Sequence, residues 1–225
     1  MKEGIEYQYP SSDKEQQWRE FVERFKHEAD RLGYGIEPGI LKAVAGLNAL
    51  EINTSQSCHG HVDRGRIAPW VDVQAQNEPK QYVDQDRIYQ EVADEFGVSL
   101  EESERSIGER GKEAWLESQN RLSKQDYTPE YLSWLQENKI VLEKVKVIVE
   151  EFQEDQKQRG VPENLLLQAD SDRVNPALYI GKEDYYTQEQ DRTEEEKKKL
   201  KKRIIEYRKE FNKFAEFLKK KFFEL

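Results

Sequence analysis

Apolar residues recur every third or fourth position over most of this chain, which is the spacing of one buried helix face. Ser12 and Glu15 form a capping-box pattern ahead of the first such run, which we expect to end at Gly33–Gly35. The same pattern precedes two later helices, at Ser99 with Glu102 and at Thr193 with Glu196. Pro38 suits the first turn of the next helix. Helices are predicted over residues 12–32, 37–50, 84–96, 99–123, 129–158 and 193–225.

Strands are indicated by alternation and by turn residues. Residues 69–76 alternate at period two, and 52–57 form a short extended stretch before them. Residues 165–169 and 174–180 flank an aspartate-rich turn and predict a β-hairpin, in which Pro176 weakens the second strand or places it at an edge. The predicted fold class is α+β, with a small, mostly antiparallel sheet of about four strands wrapped by helices.

The last helix has an apolar seam with gaps of mostly three and four residues. The seam consists of Leu200, Ile204, Tyr207, Phe211, Phe214, Leu218 and Leu225. Such a long helix needs a long partner, and helix 129–158 matches it in length and spacing. We expect the two to pack as a hairpin-like, coiled-coil-type bundle, within the chain or across a homodimer.

We expect one domain overall, in four segments. Residues 1–80 hold the first helices, the loop described below and a strand, and 81–160 are helical. Residues 161–192 complete the sheet with the hairpin, and 193–225 form the basic final helix.

The charge is unevenly distributed. The net charge is −10, but residues 197–225 carry 12 Lys or Arg against 4 Glu, so this segment is at +8 and the rest at −18. The basic tail could bind nucleic acid, but its lysines alternate with the apolar seam, which favours a solvated helix face. One cysteine excludes an intramolecular disulfide. With no apolar run fit for a signal peptide or a bilayer span, we expect a cytoplasmic protein with no membrane partner.

One loop concentrates reactive side chains between a helix and a strand. Residues 53–66 contain hydroxyls, a thiol, two imidazoles, a carboxylate and two guanidiniums, with Gly60 and Gly65 allowing unusual backbone geometry. Binding and catalytic residues concentrate in such loops. The other interpretation is a polar surface loop with turn glycines, which the density of reactive groups makes less favoured.

Anion binding is the first of three chemistries that this loop supports. Hydroxyls, imidazoles and guanidiniums can converge on phosphate or carboxylate oxygens. An aromatic face could add stacking for a nucleotide-like ligand, and an arginine of the hairpin could reach the same ligand. The candidate ligand-binding residues are Thr54, Ser55, Ser57, His59, Gly60, His61, Arg64, Arg66, Trp70 and Arg173.

Thiol chemistry ranks second and metal binding third. Cys58 could act as a nucleophile if His59 or His61 lowers its pKa, so Cys58 and His61 are the candidate catalytic pair. The spacing Cys58-x-x-His61, with Asp63, is half of a zinc site, because no second Cys/His pair exists. We therefore predict no resident cofactor, and zinc remains the alternative.

The same loop carries two resemblances. The run Thr54-x-x-Ser57-Cys58-x-Gly60-His61, followed by the strand start Pro69-Trp70-Val71, resembles a family of uncharacterised bacterial proteins. More distantly, residues 54–60 are similar to the Ser-Ser-Cys-Ser-Gly-Arg loop of the wybutosine-synthesising tRNA methyltransferases, where His61 replaces the family's Arg. The second resemblance implies a loop that faces a ligand.

The sequence therefore favours a binding protein for a small anionic, nucleotide-like ligand held by residues 53–66. Two alternatives stay open: an enzyme that uses Cys58 as its nucleophile, and a helical protein that binds partners or forms oligomers.

Overall fold

The computed structural model describes residues 11–29, 34–63, 65–170, 176–186 and 192–225. Within these residues the chain is α+β, as predicted, with eight α-helices, a four-stranded sheet and a short 3₁₀ turn at Glu163–Leu165. No described helix combines the length and the apolar composition that a membrane crossing requires. The helices are α1 (Ser11–Lys26), α2 (Leu41–Ala49), α3 (Gln85–Phe96), α4 (Leu100–Glu104), α5 (Gly108–Leu122), α6 (Pro129–Gln158), α7 (Lys182–Tyr186) and α8 (Glu194–Glu224).

The sheet is antiparallel throughout, in the order β1-β2-β4-β3. Its strands are β1 (Thr54–Cys58), β2 (Trp70–Val73), β3 (Leu167–Asp170) and β4 (Ala177–Ile180). The hairpin β3–β4 confirms the prediction, but β4 begins only after Pro176 and lies inside the sheet, so the expected edge position was wrong. Because β2 pairs with β4, the two halves of the chain meet in the middle of the sheet.

The two faces of this sheet carry different side chains, because successive side chains of a strand point to opposite faces. Val71, Val73 and Leu178 are completely buried in the main core. Cys58, Trp70 and Tyr179 form one cross-strand row on the other face, because Trp70 pairs with both of the others. The thiol predicted to be reactive therefore stands beside an indole ring.

Clustering of contacts divides the chain into two compact units. One combines the described parts of Met1–Ala75 with Asn138–Leu225 and contains the whole sheet. Its α1, α2, α8 and the later part of α6 surround the main core. Gly46 of α2 lies so close to α8 that an added Cβ would be 2.9 Å from the Leu218 Cβ.

The last helix packs against α6 within the chain, as expected. Phe152 of α6 contacts Phe214 and Phe217, with ring centroids 5.1 and 5.4 Å away. Gln156 donates a hydrogen bond to the buried Glu210, which also pairs with Arg159. The predicted seam is buried from Leu200 to Leu218, whereas Leu225 is exposed and its inclusion was wrong.

The second unit, Gln76–Glu137, is built from α3, α4, α5 and the start of α6. Its core is the small cluster Ile88, Val92, Ala114 and Leu122. The predicted cap at Ser99 is present, with Glu102 completing the capping box. Gly111 allows α5 to touch α4, since a Cβ there would lie 2.6 Å from the Glu102 carbonyl oxygen.

Three predicted helix boundaries were wrong. The helix predicted from residue 37 begins at Leu41, so Pro38 precedes it and does not lie in its first turn. The first helix ends at Lys26 and not at Gly33, and Ala29 instead bridges to Gly35. The helix predicted over 99–123 is broken between α4 and α5, where Ser106 and Gly108 both have positive φ. Local backbone conformation at these two residues overrides a continuous apolar period.

Candidate functional site

The loop between β1 and β2 begins where Cys58 ends its strand. Gly60 has a φ of +82°, and a Cβ there would lie 2.3 Å from the carbonyl oxygen of Ile67. Only glycine fits that combination of positive φ and close backbone approach. Gly60 therefore has the unusual backbone geometry that the sequence predicts, and it folds the loop tightly upon itself.

Helix α8 holds this loop in place by hydrogen bonds to the loop's backbone carbonyl groups. Arg208 donates from Nε to the His59 oxygen at 2.8 Å and from Nη2 to the Gly60 oxygen at 2.7 Å. The planar guanidinium suits such a two-point contact, which lysine cannot copy. Ile67 of the loop is also buried against Leu200 and Ile204 of α8.

The carboxylate of Glu37, just ahead of α2, enters the loop from the other side. Its Oε2 accepts a hydrogen bond from the His59 backbone N–H at 2.7 Å. Its Oε1 lies 2.7 Å from Nε2 of His61 and 3.4 Å from Nε2 of His59. The two imidazole rings lie side by side, with centroids 4.9 Å apart. One carboxylate therefore connects both histidines of the loop.

This environment keeps Glu37 ionised. Burial raises its pKa, but the hydrogen bond from the His59 N–H and the charges of the two imidazoles outweigh burial, so the pKa of Glu37 lies below its ordinary value. All three side chains are mostly buried, with between 16 and 24% of their surface exposed. Screening by water is correspondingly weak, which strengthens these contacts.

Cys58 completes a cluster of three different donor types. One ligand atom each from Glu37, Cys58 and His61 lies within 4.8 Å of the other two, and within the described residues this is the one such group of three. The Cys58 sulfur also accepts the Gly60 N–H at 3.3 Å. An N–H donor at sulfur stabilises the thiolate, which is the form that binds metals and attacks electrophiles.

Beside the cluster, the same sheet face carries buried polar atoms that make no hydrogen bond within the described residues. They are Arg66 Nη1, Trp70 Nε1 and Asp72 Oδ1. The Arg66 guanidinium lies over the ring of Tyr185 at 4.1 Å and 5.6 Å from the centre of Trp70. Burial raises the pKa of Asp72 to about 7. This face thus carries two buried donors and one buried acceptor, and Trp70 among them is the cross-strand neighbour of Cys58.

The remaining predicted residues divide into three groups. Thr54 has a structural contact, since Asn48 donates to its hydroxyl at 2.8 Å. Ser55 and Asp63 are exposed, Ser57 is half-buried, and Asp63 lies outside the donor cluster. Arg64 and Arg173, predicted to bind the ligand, lie outside the described residues.

Two residues of the site were not found from the sequence. Glu37 lies 21 positions before Cys58, and Arg208 lies in the basic tail among many other cations. Neither has a local motif, because both reach the loop only through tertiary packing. Pro38 suggested a helix start beside Glu37, but α2 begins only at Leu41, so no local pattern marks Glu37 as a site residue.

The chain matches no protein-family model, and no curated protein or solved structure is significantly similar to it.

Proposed function

We propose that this chain binds a divalent transition-metal ion of the zinc class through Glu37, Cys58 and His61, and uses the open coordination position for a small anionic ligand. The convergence of these three donor atoms within 4.8 Å carries the proposal. Thiolate, imidazole and carboxylate are the three side-chain ligands that zinc accepts in proteins.

The three donor atoms are close enough together, within 4.8 Å, for one ion to bind all of them after small shifts. Bonds of about 2.0–2.3 Å to a tetrahedral zinc place its ligand atoms roughly 3.3–3.7 Å apart. The 2.7 Å contact between His61 and Glu37 is shorter, and it would open slightly as the ion replaces the shared hydrogen. The His59 N–H fixes the far oxygen of Glu37, which orients the near one toward the cluster.

Glu37 changes the order in which the loop's chemistries rank. An external anion at His59 and His61 would have to displace a carboxylate that already occupies their donors. Like charges at one site repel, whereas a cation there is attracted to Glu37 and to a Cys58 thiolate. A metal centre therefore suits these groups better than a bare anion cradle.

The anionic ligand enters this proposal as the fourth ligand of the metal. Two negative ligands and a neutral imidazole leave a divalent ion with no net charge, so an incoming oxyanion meets little repulsion. Arg66 and Trp70 offer buried N–H groups on the Cys58 face of the sheet. These donors support the ligand that the sequence predicts for the loop, and Trp70 supplies the flat surface suited to a nucleotide-like group.

Titration with Co²⁺ tests the centre, because a cobalt–thiolate bond gives a charge-transfer band and tetrahedral cobalt has intense d–d bands. We expect both in the wild type at one equivalent of metal. Cys58→Ser should remove the charge-transfer band, and Glu37→Gln or His61→Ala should weaken binding at least about tenfold, since each removes one of only three ligands.

Asp63→Asn and His27→Ala are the matched controls, because both side chains are exposed and lie outside the donor cluster. They should bind cobalt like the wild type. Equal loss in controls and cluster variants, or no sulfur band in the wild type, overturns the metal proposal.

A second candidate function, nucleophilic catalysis by Cys58, is favoured by one observation. Glu37 contacts His61 at 2.7 Å, and both belong to the cluster with Cys58. The thiol could then act as the nucleophile, the imidazole as the base and the carboxylate as the group that orients the base. Metal-free protein should then react with iodoacetamide rapidly at pH 6, and Glu37→Gln should slow that reaction. Labelling that rises only near pH 8.5 excludes this candidate.

A further inference from the structure

A cavity of about 640 Å³ lies at the other edge of the sheet, between the 3₁₀ turn, β3, the start of α7 and α8. Its volume falls in the range of about 300–1,000 Å³ that is common for small-molecule pockets. Gln168 lines it, and Gln168 is the β3 partner of Tyr179 in the row that begins at Cys58. Three strand spacings of about 4.8 Å separate that row's ends, so the cavity is a separate place from the metal cluster.

Arg203 of α8 is fixed on the cavity wall. Its Nη2 donates to Asp184 Oδ1 at 2.8 Å, and the Tyr207 hydroxyl donates to Asp184 Oδ2, also at 2.8 Å. Asp184 is only 6% exposed, so one edge of the guanidinium is held by a buried anchor. About half of the Arg203 side chain stays exposed, which leaves its other edge toward the cavity. A guanidinium preorganised in this way binds an oxyanion at a lower entropic cost.

Gly181 packs against Tyr207, the residue that binds Asp184 from α8. It has a φ of +76°, and a Cβ there would lie 2.4 Å from Cζ of Tyr207. The turn after β4 therefore packs directly on the tyrosine ring, whose hydroxyl faces Asp184. The ion pair with the buried Asp184 distinguishes Arg203 from its neighbour Lys202, which lies outside the cavity lining.

The lining also contains negative charge. Glu163 of the 3₁₀ turn lines the cavity together with Arg203 of α8, and Lys182 and Glu183 add one charge of each sign. Once Asp184 is paired with Arg203, the other charged residues of the lining provide no excess of positive charge to attract a simple anion. A ligand with both an oxyanion and an ammonium group matches the positive Arg203 and the negative Glu163.

We infer that this cavity is a second binding site, which takes a small zwitterion: its oxyanion pairs with Arg203, and its ammonium group pairs with Glu163. The cavity, the anchored guanidinium and the Glu163 carboxylate are all parts of the same unit of the chain. The site is independent of the metal cluster.

Three probes of similar length test the inference by NMR on the full chain: γ-aminobutyrate, butyrate and butylamine. The reporters are the Arg203 Nε–H and the side-chain amide of Gln168. We expect γ-aminobutyrate to shift both signals at concentrations at which butyrate and butylamine do not. Charge-assisted hydrogen bonds of roughly 1.5–3 kcal/mol correspond to a loss of about tenfold to a hundredfold in affinity in Arg203→Ala.

Matched variants separate the outcomes. Lys202→Ala should bind like the wild type, Glu163→Gln should reduce γ-aminobutyrate to the level of butyrate, and Cys58→Ser should leave binding unchanged even if no metal site exists. Equal binding of butyrate and γ-aminobutyrate overturns the ligand class. If γ-aminobutyrate leaves the Arg203 and Gln168 signals unmoved in the wild type, the site itself is refuted.

Discussion

At the scale of single residues, Asp72 has the most unusual electrostatic position in the sheet. Burial raises the pKa of its carboxyl to about 7, and its cross-strand partners Gln56 and Ala177 carry no charge. A carboxyl with a higher pKa in the folded than in the unfolded state binds its proton more tightly when folded. Its contribution to stability is therefore fully present below about pH 4 and is lost as the pH rises through about 7.

Asp72→Asn removes this dependence, since the amide has no charge to desolvate. We expect the variant's gain in the free energy of unfolding over the wild type to be larger at pH 8.5 than at pH 5, by roughly 2–3 kcal/mol. Urea unfolding at both pH values measures it, and the exposed Asp63→Asn is the control. An equal gain at both pH values would show that Asp72 titrates normally.

Arg208 is a positioning residue, because its guanidinium binds the carbonyl groups of His59 and Gly60 and is not one of the three metal-binding side chains. Arg208→Lys keeps the charge but cannot make both contacts. We expect it to lower cobalt affinity by about tenfold, the low end of what supporting partners of metal ligands contribute. Hydrogen exchange at the His59–His61 amides should become faster in the variant. Lys209→Ala, its exposed neighbour, should change neither quantity; unaltered cobalt affinity in Arg208→Lys would refute the positioning role.

At the scale of elements, α8 contributes both to the core and to the loop. Phe211 is fully buried and packs edge-to-face with Phe214, their centroids 6.4 Å apart. Phe211→Ala should lower the free energy of unfolding by roughly 3–5 kcal/mol, as truncation of large buried aromatics does. Ile205→Ala, on the exposed side of α8, should stay within about 0.5 kcal/mol of the wild type.

A small effect of Phe211→Ala in urea unfolding would mean that the α8 seam does not stabilise the isolated chain. The basic residues of α8 are consistent with a solvated face, since several pair with carboxylates of their own helix, as Lys199 does with Glu195 and Lys213 with Glu210. A dimer through the long helices and nucleic-acid binding by the tail stay predictions.

At the scale of the whole molecule, the sequence predicted the helices and strands better than the tertiary contacts between them. Periodicity located the long helices and the antiparallel strands, because these depend on local burial patterns. It missed the break before α5, because that break depends on the left-handed conformation of Ser106 and Gly108. The capping boxes at Ser99 and Thr193 were visible because all their atoms lie within four residues.

The residues of the candidate site also divide into those that the sequence predicted and those that it did not. Cys58, His59, Gly60 and His61 were visible as a local motif, whereas Glu37 joins them only because α2 packs beside β1. That one carboxylate moves the preferred chemistry from anion binding to metal binding. Long-range contacts of this kind leave no spacing in a single sequence.

X-ray absorption at the zinc edge tests the metal centre most directly, with the full chain loaded with one equivalent of zinc. We expect one sulfur neighbour at about 2.3 Å and nitrogen or oxygen neighbours at about 2.0–2.2 Å, with the sulfur absent in Cys58→Ser. A wild-type spectrum that shows only oxygen and nitrogen neighbours, or one that Cys58→Ser leaves unchanged, would contradict a metal centre built on Glu37, Cys58 and His61.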